Sequence, residues 1–305
     1  MAQSKLRIIF FGTPEFAAHS LEKMVLRGFD VVGVVTAIDK PAGRGQKISE
    51  SAVKQKAKAL GLRILQPSNL KSEEFALELQ SLKPDLGVVI AFRMLPESVW
   101  SFPKLGTINL HGSLLPQYRG AAPIHHAIIN GEKITGLTTF FLKHEIDTGD
   151  IIKTVSLTIG ENETLGDLHD RMMEKGAELM VDTLQLITTG HYQTTPQVFH
   201  DTLKPAPKLN REFAEMKLDS SLDDFHNKVR GLSPFPGAWI KSPWGDMKIY
   251  LGEKLSNHPE DPTPSIKIQS KQLLICLKDG QYRVIQMQLA GKPRMSASDF
   301  INGLK

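Results

Sequence analysis

The first 189 residues alternate short apolar runs with segments of helical period. Leu6–Phe11 and Leu86–Ala91 are nearly all apolar, which is typical of strands covered on both faces. Repeated strand–helix units predict a parallel, doubly wound α/β sheet with right-handed crossovers. The predicted strands are Leu6–Phe11, Val31–Thr36, Arg63–Leu65, Leu86–Ala91, Gly106–His111 and Ile151–Val155, and the predicted helices are Phe16–Arg27, Ser51–Leu60, Ser72–Ser81 and Leu165–Thr189.

The pattern changes after residue 189. Residues 190–208 are polar and proline-rich without a core pattern, and we interpret them as a linker. One amphipathic helix then runs to about Arg230, and closely spaced short β-like runs follow it, which predict a small β-barrel or sandwich. We therefore predict one domain over residues 1–189, a linker over 190–208 and a second domain over 209–305. The β-like runs are Ala238–Ile240, Met247–Leu251, Ser265–Ile268, Leu273–Leu277 and Tyr282–Leu289.

Length and composition agree with an ordinary globular protein of two domains. The chain has 305 residues, of which 41% are hydrophobic and 23% charged. No apolar run reaches the roughly 18 residues that a membrane span needs. Leu6–Phe11 leads directly into a Gly-Thr-Pro turn, unlike a secretory signal. We expect a cytoplasmic protein.

The positive charge lies in the C-terminal third. Residues 1–203 contain 21 Lys and Arg against 22 Asp and Glu, whereas residues 204–305 contain 16 against 11. This excess favours a polyanionic partner, although solubility explains it equally well. A second basic feature is the segment Asp39–Lys47, which carries Lys40, Arg44 and Lys47 beside two glycines. It is either a solvated connection or a flexible arm for phosphates, and charge alone favours the connection.

Several chemistries are disfavoured by the residues present. Cys276 is the only cysteine and lies in an apolar run, so we predict a buried core residue without disulfide or zinc chemistry. The first strand is followed by Gly12-Thr13-Pro14-Glu15, which lacks the glycine spacing of a dinucleotide site. The histidines of the central stretch contain no i, i+4 ligand pair, so we predict no metal site.

The central stretch, residues 109–147, carries the candidate chemistry. Asn109 and His111 are two apart in a predicted strand, so both side chains point to one side of the sheet. Gly112 and Pro116 end the strand, and Ala121-Ala122-Pro123 begins a helical pattern. Ligand sites in open α/β sheets lie where strands end and loops begin.

These residues suit direct acyl transfer without a protein nucleophile. Ser113 follows His111 too closely for a simple triad, and no Gly-x-Ser-x-Gly elbow occurs. Asn109 and His111 can donate hydrogen bonds to an oxyanion, and Asp147 can hold an amine or accept its proton. Each residue also has a structural explanation taken singly: a strand-end amide, a packed histidine and a cap for the Thr148-Gly149 turn.

The motifs INLHGSLLPQYRGAAPIHHAIINGE and HEIDTGDII closely resemble the folate-dependent formyltransferase superfamily. The shared pattern is Asn-x-His after a strand and Asp in an Asp-x-Gly-type turn downstream. The motifs FFGTPEFA, DKPAGRGQK, KVRGLSPFPGAW and LAGKPRMSASDFING are similar to the branch of that superfamily that formylates methionyl-tRNA. The resemblance runs from about Leu6 to Gly303. One departure is Phe92-Arg93 after Ala91, where such enzymes commonly show Ala-Tyr-Gly.

The resemblance implies a Rossmann-like catalytic domain followed by a small OB-like β-barrel that helps to hold tRNA. It implies 10-formyltetrahydrofolate as formyl donor and initiator methionyl-tRNA as acceptor, with no metal and no membrane. We expect a monomer, because the chain shows no heptad seam. The implied residues are Asn109, His111 and Asp147 for catalysis, Ser113, Leu114, Leu115 and Pro116 for the folate wall, and Lys40, Arg44 and Lys47 for tRNA.

Two other functions remain open. One is formylation of a sugar nucleotide or another small amine by the same catalytic set. The other is a folate-binding or RNA-binding module without catalysis.

Overall fold

The computed structural model describes residues 6–42, 47–255 and 263–304. The chain forms two compact units. The first contains the residues up to Arg119 together with Gly136–Ser156 and Arg171–Leu203. The second contains Gly120–Thr135, Leu157–Asp170 and the residues from Lys204 onward. The domain boundaries at 1–189, 190–208 and 209–305 stay a prediction.

Nine strands precede residue 160 in the described ranges: β1 Arg7–Gly12, β2 Asp30–Val35, β3 Lys40–Ala42, β4 Lys47–Ser49, β5 Ile64–Leu65, β6 Leu86–Ile90, β7 Thr107–His111, β8 Ile134–Phe141 and β9 Ile151–Thr158. Seven of them form one sheet in the order β5-β2-β1-β6-β7-β8-β9. Neighbours from β5 to β7 are parallel, and β8 is antiparallel to β7. The predicted Rossmann-like, mainly parallel sheet is confirmed.

Eight helices are described: α1 Glu15–Leu26, α2 Ala52–Ala59, α3 Glu73–Leu82, α4 Glu97–Trp100, α5 Pro123–Ile129, α6 Leu165–Thr189, α7 Leu222–Gly231 and α8 Ala297–Asn302. Serine side chains accept backbone N–H groups at the starts of α2, α3, α7 and α8, which satisfies donors that the helix leaves free. Within the described residues, no helix combines the length and the apolar character that crossing a membrane requires.

The burial pattern of β7 shows on which face of the strand its candidate catalytic residues lie. Ile8 to Phe11 of β1 are fully buried, as the all-apolar pattern predicts. In β7, Ile108 and Leu110 are buried on one face, while Asn109 on the other face is half-buried. Because strand side chains alternate between faces, Asn109 and His111 lie on the same side of β7. The chain leaves the sheet directly after His111.

The basic segment after β2 differs from the predicted open loop. β3 and β4 pair as an antiparallel ribbon, with Lys40 opposite Ser49 and Ala42 opposite Lys47. Asp39, at the base of the ribbon, pairs with Lys54 and accepts a hydrogen bond of 2.9 Å from Gln66 Nε2. The glycine-rich, charged segment Asp39–Lys47 has no sequence pattern typical of strands. Its pairing depends on contact between Lys40–Ala42 and Lys47–Ser49 rather than on local strand propensity.

The remaining strands are β10 Ala238–Ser242, β11 Gly245–Leu255, β12 Ser265–Gln269, β13 Gln272–Leu277, β14 Gly280–Leu289 and β15 Met295–Ser296. They form an antiparallel sheet in the order β10-β11-β14-β13-β12, with β15 beside β14. Phe225, Ile275 and Tyr282 are fully buried in its core, and Cys276 is buried as predicted. The expected small β-rich domain is confirmed as an antiparallel half-barrel.

Candidate active site

His111 and Asp147 meet in the first unit although they are far apart in sequence. The distance between His111 Nδ1 and Asp147 Oδ2 is 3.7 Å, and their side chains are 7% and 11% exposed. His111 is the last residue of β7, and Asp147 lies in the turn between β8 and β9. The separation is that of an ion pair rather than a hydrogen bond. A proton can pass between the carboxylate and the imidazole when the two groups approach further or when one water bridges them.

The hydrogen bond of His111 Nε2 determines whether Nδ1 carries a hydrogen in the neutral ring. His111 Nε2 lies 2.9 Å from the backbone oxygen of Tyr118. A carbonyl oxygen can only accept, so Nε2 carries a hydrogen and donates it to Tyr118. In the neutral imidazole, Nδ1 is therefore the bare acceptor that faces Asp147. A hydrogen on Nδ1 makes the ring an imidazolium that can donate to the carboxylate or to a ligand.

The turn that carries Asp147 has an unusual backbone. Asp147 has a φ of 56°, in the left-handed region that few non-glycine residues occupy and that asparagine and aspartate tolerate best. Gly149 follows it, and a Cβ added there would lie 1.6 Å from the backbone oxygen of Phe141. Phe141 N also donates to Asp150 O at 3.1 Å. The turn therefore packs directly against the end of β8, and only glycine fits at 149.

Asn109 lies one pleat before His111, on the same side of β7. It is half-buried and stands opposite Phe140 of β8. Within the described residues, its side-chain amide makes no hydrogen bond, so both amide hydrogens are available to a ligand. The structure thus places an amide donor on the same side of the strand as the imidazole.

The loop after β7 is held by its own polar groups. Ser113 is fully buried, and its hydroxyl donates to Gln117 O at 2.5 Å. Thr138 of β8 donates to Ser113 O at 2.7 Å and accepts from Leu115 N at 3.1 Å. Ser113 and Leu115 are therefore structural members of the loop. Leu114 and Pro116 are half-buried, so they retain surface for a ligand.

Arg93, where the sequence departs from the superfamily pattern, is bound to backbone carbonyls. Its guanidinium donates to Pro67 O at 2.5 Å and to Ser68 O at 3.1 Å. Phe92 packs on Phe11 with ring centroids 5.9 Å apart, and Ala91 takes a φ of 46°. The additional charge of Arg93 is thus used to join two loops of the first unit.

The family resemblance implied three basic tRNA contacts in the segment Asp39–Lys47. Lys40 is exposed. Arg44 lies outside the described residues, and for Lys47 the structure describes the backbone of β4 alone.

Comparison with known proteins identifies the architecture. A family model described as formyl transferase matches residues 6–184, and a model described as formyl transferase C-terminal domain matches residues 208–305. The chain belongs to the formyl transferase family.

Curated relatives match this formyl transferase along almost its whole length. A protein of Flavobacterium johnsoniae named methionyl-tRNA formyltransferase is 47% identical over 304 residues, which cover 98% of this chain and 96% of the relative. A protein of Parabacteroides distasonis with the same name is 46% identical, covering 100% of this chain and 98% of the relative. The two sequences share both the N-terminal and the C-terminal regions with this chain.

Solved structures share the fold at low identity. An N-formyltransferase of Helicobacter canadensis, solved with folinic acid and dTDP-3-aminofucose, has a TM-score of 0.68 at 20% identity, covering 92% of this chain and 98% of that one. HypX of Aquifex aeolicus, solved with tetrahydrofolic acid, has a TM-score of 0.66 at 18% identity, covering 98% of this chain. This chain spans 47% of the length of HypX.

The second unit of the formyl transferase contains a cavity of about 800 Å³. Its lining combines cations with aromatic surface. The Arg211 guanidinium lies 4.7 Å from the Trp239 ring centroid and pairs with Asp246 at 2.7 Å, while Phe235 is 76% exposed. Lys248 also lines the cavity. Cationic and aromatic groups of this kind suit an anionic, aromatic ligand such as a nucleotide.

His125 and His126 lie in the same stretch but outside the His111–Asp147 pair. His126 Nε2 lies 3.0 Å from Pro207 O, and its ring packs on Phe213. Burial lowers the pKa of His125 to about 4, so it is neutral at physiological pH. In the ranges that the structure describes, no three His, Cys, Asp or Glu side chains gather as metal ligands do.

Sequence reasoning missed three groups that shape this site. Tyr118 contributes a backbone oxygen and Thr138 a bridging hydroxyl, and neither role has a residue signature. The third is Gln197, which lies in the segment interpreted as a linker and donates to the backbone of the Asp147 turn. A glutamine among exposed polar residues carries no pattern that points to a partner 50 positions away.

Proposed function

We propose that this formyl transferase moves the formyl group of 10-formyltetrahydrofolate to the α-amine of methionine esterified to initiator tRNA. The observation that carries the reaction is the His111–Asp147 pair, 3.7 Å apart at the end of β7, with side chains 7% and 11% exposed. The acceptor is supported by the full-length relatives, which are named methionyl-tRNA formyltransferase at 46% to 47% identity. The product is N-formylmethionyl-tRNA, which serves translation initiation.

Asp147 receives the proton that the amine loses. The amine attacks the formyl carbon with its lone pair, so it must be neutral, and the new C–N bond leaves a surplus proton on that nitrogen. Asp147 is an acceptor at the site, and His111 Nδ1 beside it can pass the proton on. When the bond from the formyl carbon to N10 breaks, N10 takes a proton, so the reaction is balanced without a net gain or loss.

Asn109 stabilises the charge that develops on the formyl oxygen. Attack converts the planar formyl group into a tetrahedral oxyanion, which needs hydrogen-bond donors that are already in place. The Asn109 amide is half-buried, and its hydrogens are not used by other described residues. Once His111 Nδ1 has taken up the proton that the amine loses, it can supply a second donor, because Nε2–H is committed to Tyr118 O.

The folate lies against the loop that follows β7. The half-buried Leu114 and Pro116 offer apolar surface to its rings, and the buried Ser113 and Leu115 keep the loop in shape. Donation from Thr138 to this loop ties it to β8.

The acceptor end of the tRNA meets the basic segment Asp39–Lys47, through Lys40, Arg44 and Lys47. Their charges attract phosphates, and the pairing of Asp39 with Lys54 leaves that carboxylate unable to cancel them. The basic C-terminal region, with its cavity beside Arg211 and Lys248, adds a second surface for the polyanion. We infer a monomer that acts in the cytoplasm, where initiator tRNA is charged.

A formyl-transfer assay with two acceptors tests the proposal. Purified protein and radiolabelled 10-formyltetrahydrofolate are incubated with methionyl-tRNA or with a dTDP-amino sugar. We expect label in acid-precipitable tRNA and none in the sugar nucleotide. Transfer to the sugar alone supports the small-amine alternative, and an absence of transfer to either acceptor favours a binding module. Size-exclusion chromatography with light scattering tests the monomer.

A further inference from the structure

The backbone of Asp147 is bound from outside its own turn. Its φ of 56° lies in the left-handed region, which is unfavourable for most side chains that begin with a Cβ and which aspartate tolerates better than most. The carboxylate nevertheless faces His111 Nδ1 at 3.7 Å. A group that binds the backbone of this turn from outside would add to the stability of that conformation.

Gln197 supplies that support. Its Nε2 donates to Asp147 O at 2.9 Å and to Gly149 O at 2.8 Å, so one amide group uses both hydrogens on the same turn. The orientation of the amide is determined by these partners, since the reversed amide would set its oxygen against two carbonyl oxygens. The two hydrogen bonds therefore bind the backbone of Asp147, which carries the carboxylate, and that of Gly149, which packs against β8.

Burial distinguishes Gln197 from its neighbours. Thr194 to Pro196 are exposed, Val198 is 67% exposed, and Gln197 alone among them is half-buried. Its Oε1 is buried and has no hydrogen-bond partner among the described residues. Burying an acceptor without a partner is unfavourable, so the side chain stays inside because of the two bonds that it donates. Thr195 pairs through its backbone with Ile151 of β9, which fixes the approach of the segment.

We propose that Gln197 is a positioning residue of the formyl-transfer reaction, which holds the Asp147 turn so that the carboxylate faces His111 and the amine. The predicted effect on kcat rests on the proposed function. The hydrogen bonds from Gln197 to Asp147 O and Gly149 O, which we call the clamp, do not rest on it, because they hold the turn whichever amine is formylated.

The first test replaces the amide with a side chain of similar length that cannot donate. Gln197→Met should lower kcat by about 10²-fold, as misplacement of a reacting group by roughly 1 Å does. The KM for the folate donor should remain unchanged. Gln193→Met is the matched control, since Gln193 is exposed in the same segment, and it should retain wild-type kcat and KM.

A double variant separates positioning from general structural damage. If Gln197 acts through Asp147, the combination of Gln197→Met with Asp147→Asn should be no slower than Asp147→Asn alone. Multiplied losses would mean that Gln197 acts independently of the carboxylate, and would overturn the inference.

The conservative variant gives a pH signature. Gln197→Glu sets a carboxyl against two carbonyl oxygens, which favours its protonated form, and that form can donate one hydrogen bond. The ratio of its kcat to the wild-type value should therefore rise as the pH falls, while the ratio for Gln197→Met stays level. A level ratio for both variants would contradict the clamp.

Amide hydrogen exchange measures the clamp without any substrate. In Gln197→Met, residues 145–150 should exchange at least severalfold faster than in wild type and in Gln193→Met, with other segments unchanged. If wild type failed to formylate methionyl-tRNA but this acceleration appeared, the proposed function would fall and the clamp would stand. Unchanged exchange together with wild-type kcat would remove the clamp and leave the proposed function intact.

Discussion

The turn Glu145–Asp150 and the ribbon formed by β3 and β4 both carry charged residues of the proposed reaction, yet they are built differently. Asp147 is 11% exposed, and its turn is held by Gln197, by contact of Gly149 with β8 and by the Lys143–Asp150 pair at 2.8 Å. Lys40 is exposed, and the base of its ribbon is anchored through Asp39 and Lys54.

The difference follows from what each charge must do. Proton transfer needs its partners within hydrogen-bond reach, so the carboxylate lies on backbone that is held from several sides. Attraction of a phosphate chain acts over about 10 Å at ordinary ionic strength and tolerates a range of positions. We therefore expect changes in the turn to affect turnover and changes in the ribbon to affect salt-dependent tRNA use.

Asp147→Asn should have the largest effect. Asparagine tolerates the left-handed backbone at least as well as aspartate, so the fold should be kept while the proton acceptor is lost. We expect kcat to fall by about 10²–10⁴-fold, which is typical of a general base. Stopped or quenched-flow formyl transfer measures it, and thermal unfolding is the control. A variant that turns over within a few fold of wild type would show that the turn carries no chemistry.

Gly149→Ala tests whether the turn is held by packing. The added Cβ would lie 1.6 Å from Phe141 O, so the backbone must move. We expect a loss of about 2–4 kcal/mol in the free energy of unfolding, in the upper range of single substitutions, measured by denaturant titration. Gly190→Ala is the control, because no atom lies within 4 Å of a Cβ there. The positive φ of Gly190 should lower the free energy of unfolding of the alanine variant by only about 1–2 kcal/mol. Equal losses would mean that the turn accommodates a side chain.

Lys40→Ala and Arg44→Ala should have the smallest effects on turnover. Each removes one proposed phosphate contact, so the KM for tRNA should rise severalfold and the slope of log affinity against log salt should decrease by about 1. The KM for folate should not change. Lys71→Ala, at an exposed lysine elsewhere in the first unit, is the matched control. A change in the folate KM without a change in the tRNA salt slope would contradict the role of the ribbon.

Much of the sheet could be predicted because its signals are local. The apolar run Leu6–Phe11 became β1 at Arg7–Gly12, and the helical period over Leu165–Thr189 became α6 with the same bounds. Pro123 begins α5 at the first helical position, as its fixed φ favours. Burial on both faces or on one stripe leaves a periodic trace in the sequence.

The rest depends on contacts between distant residues. β8 is continuous over Ile134–Phe141, but Gly136 interrupts its apolar sequence pattern, which alone does not separate the strand from the neighbouring loop. Glycine is needed at 136 because a Cβ there would meet Val155 O at 2.2 Å. Asn109, His111 and Asp147 were found through alternation in β7 and through a resemblance. Tyr118 O binds His111, and Gln197 binds the backbone of Asp147. Hydrogen bonds of this kind produce no periodic pattern in the sequence, so they could not be predicted.

The most direct test of the catalytic arrangement is the single-turnover rate of Asn109→Ala with 10-formyltetrahydrofolate and methionyl-tRNA both saturating. Removing one donor to an oxyanion typically costs about 10²–10³ in rate. The arrangement predicts a loss in that range with an unchanged unfolding midpoint. A folded variant with near-normal single-turnover rate would contradict it.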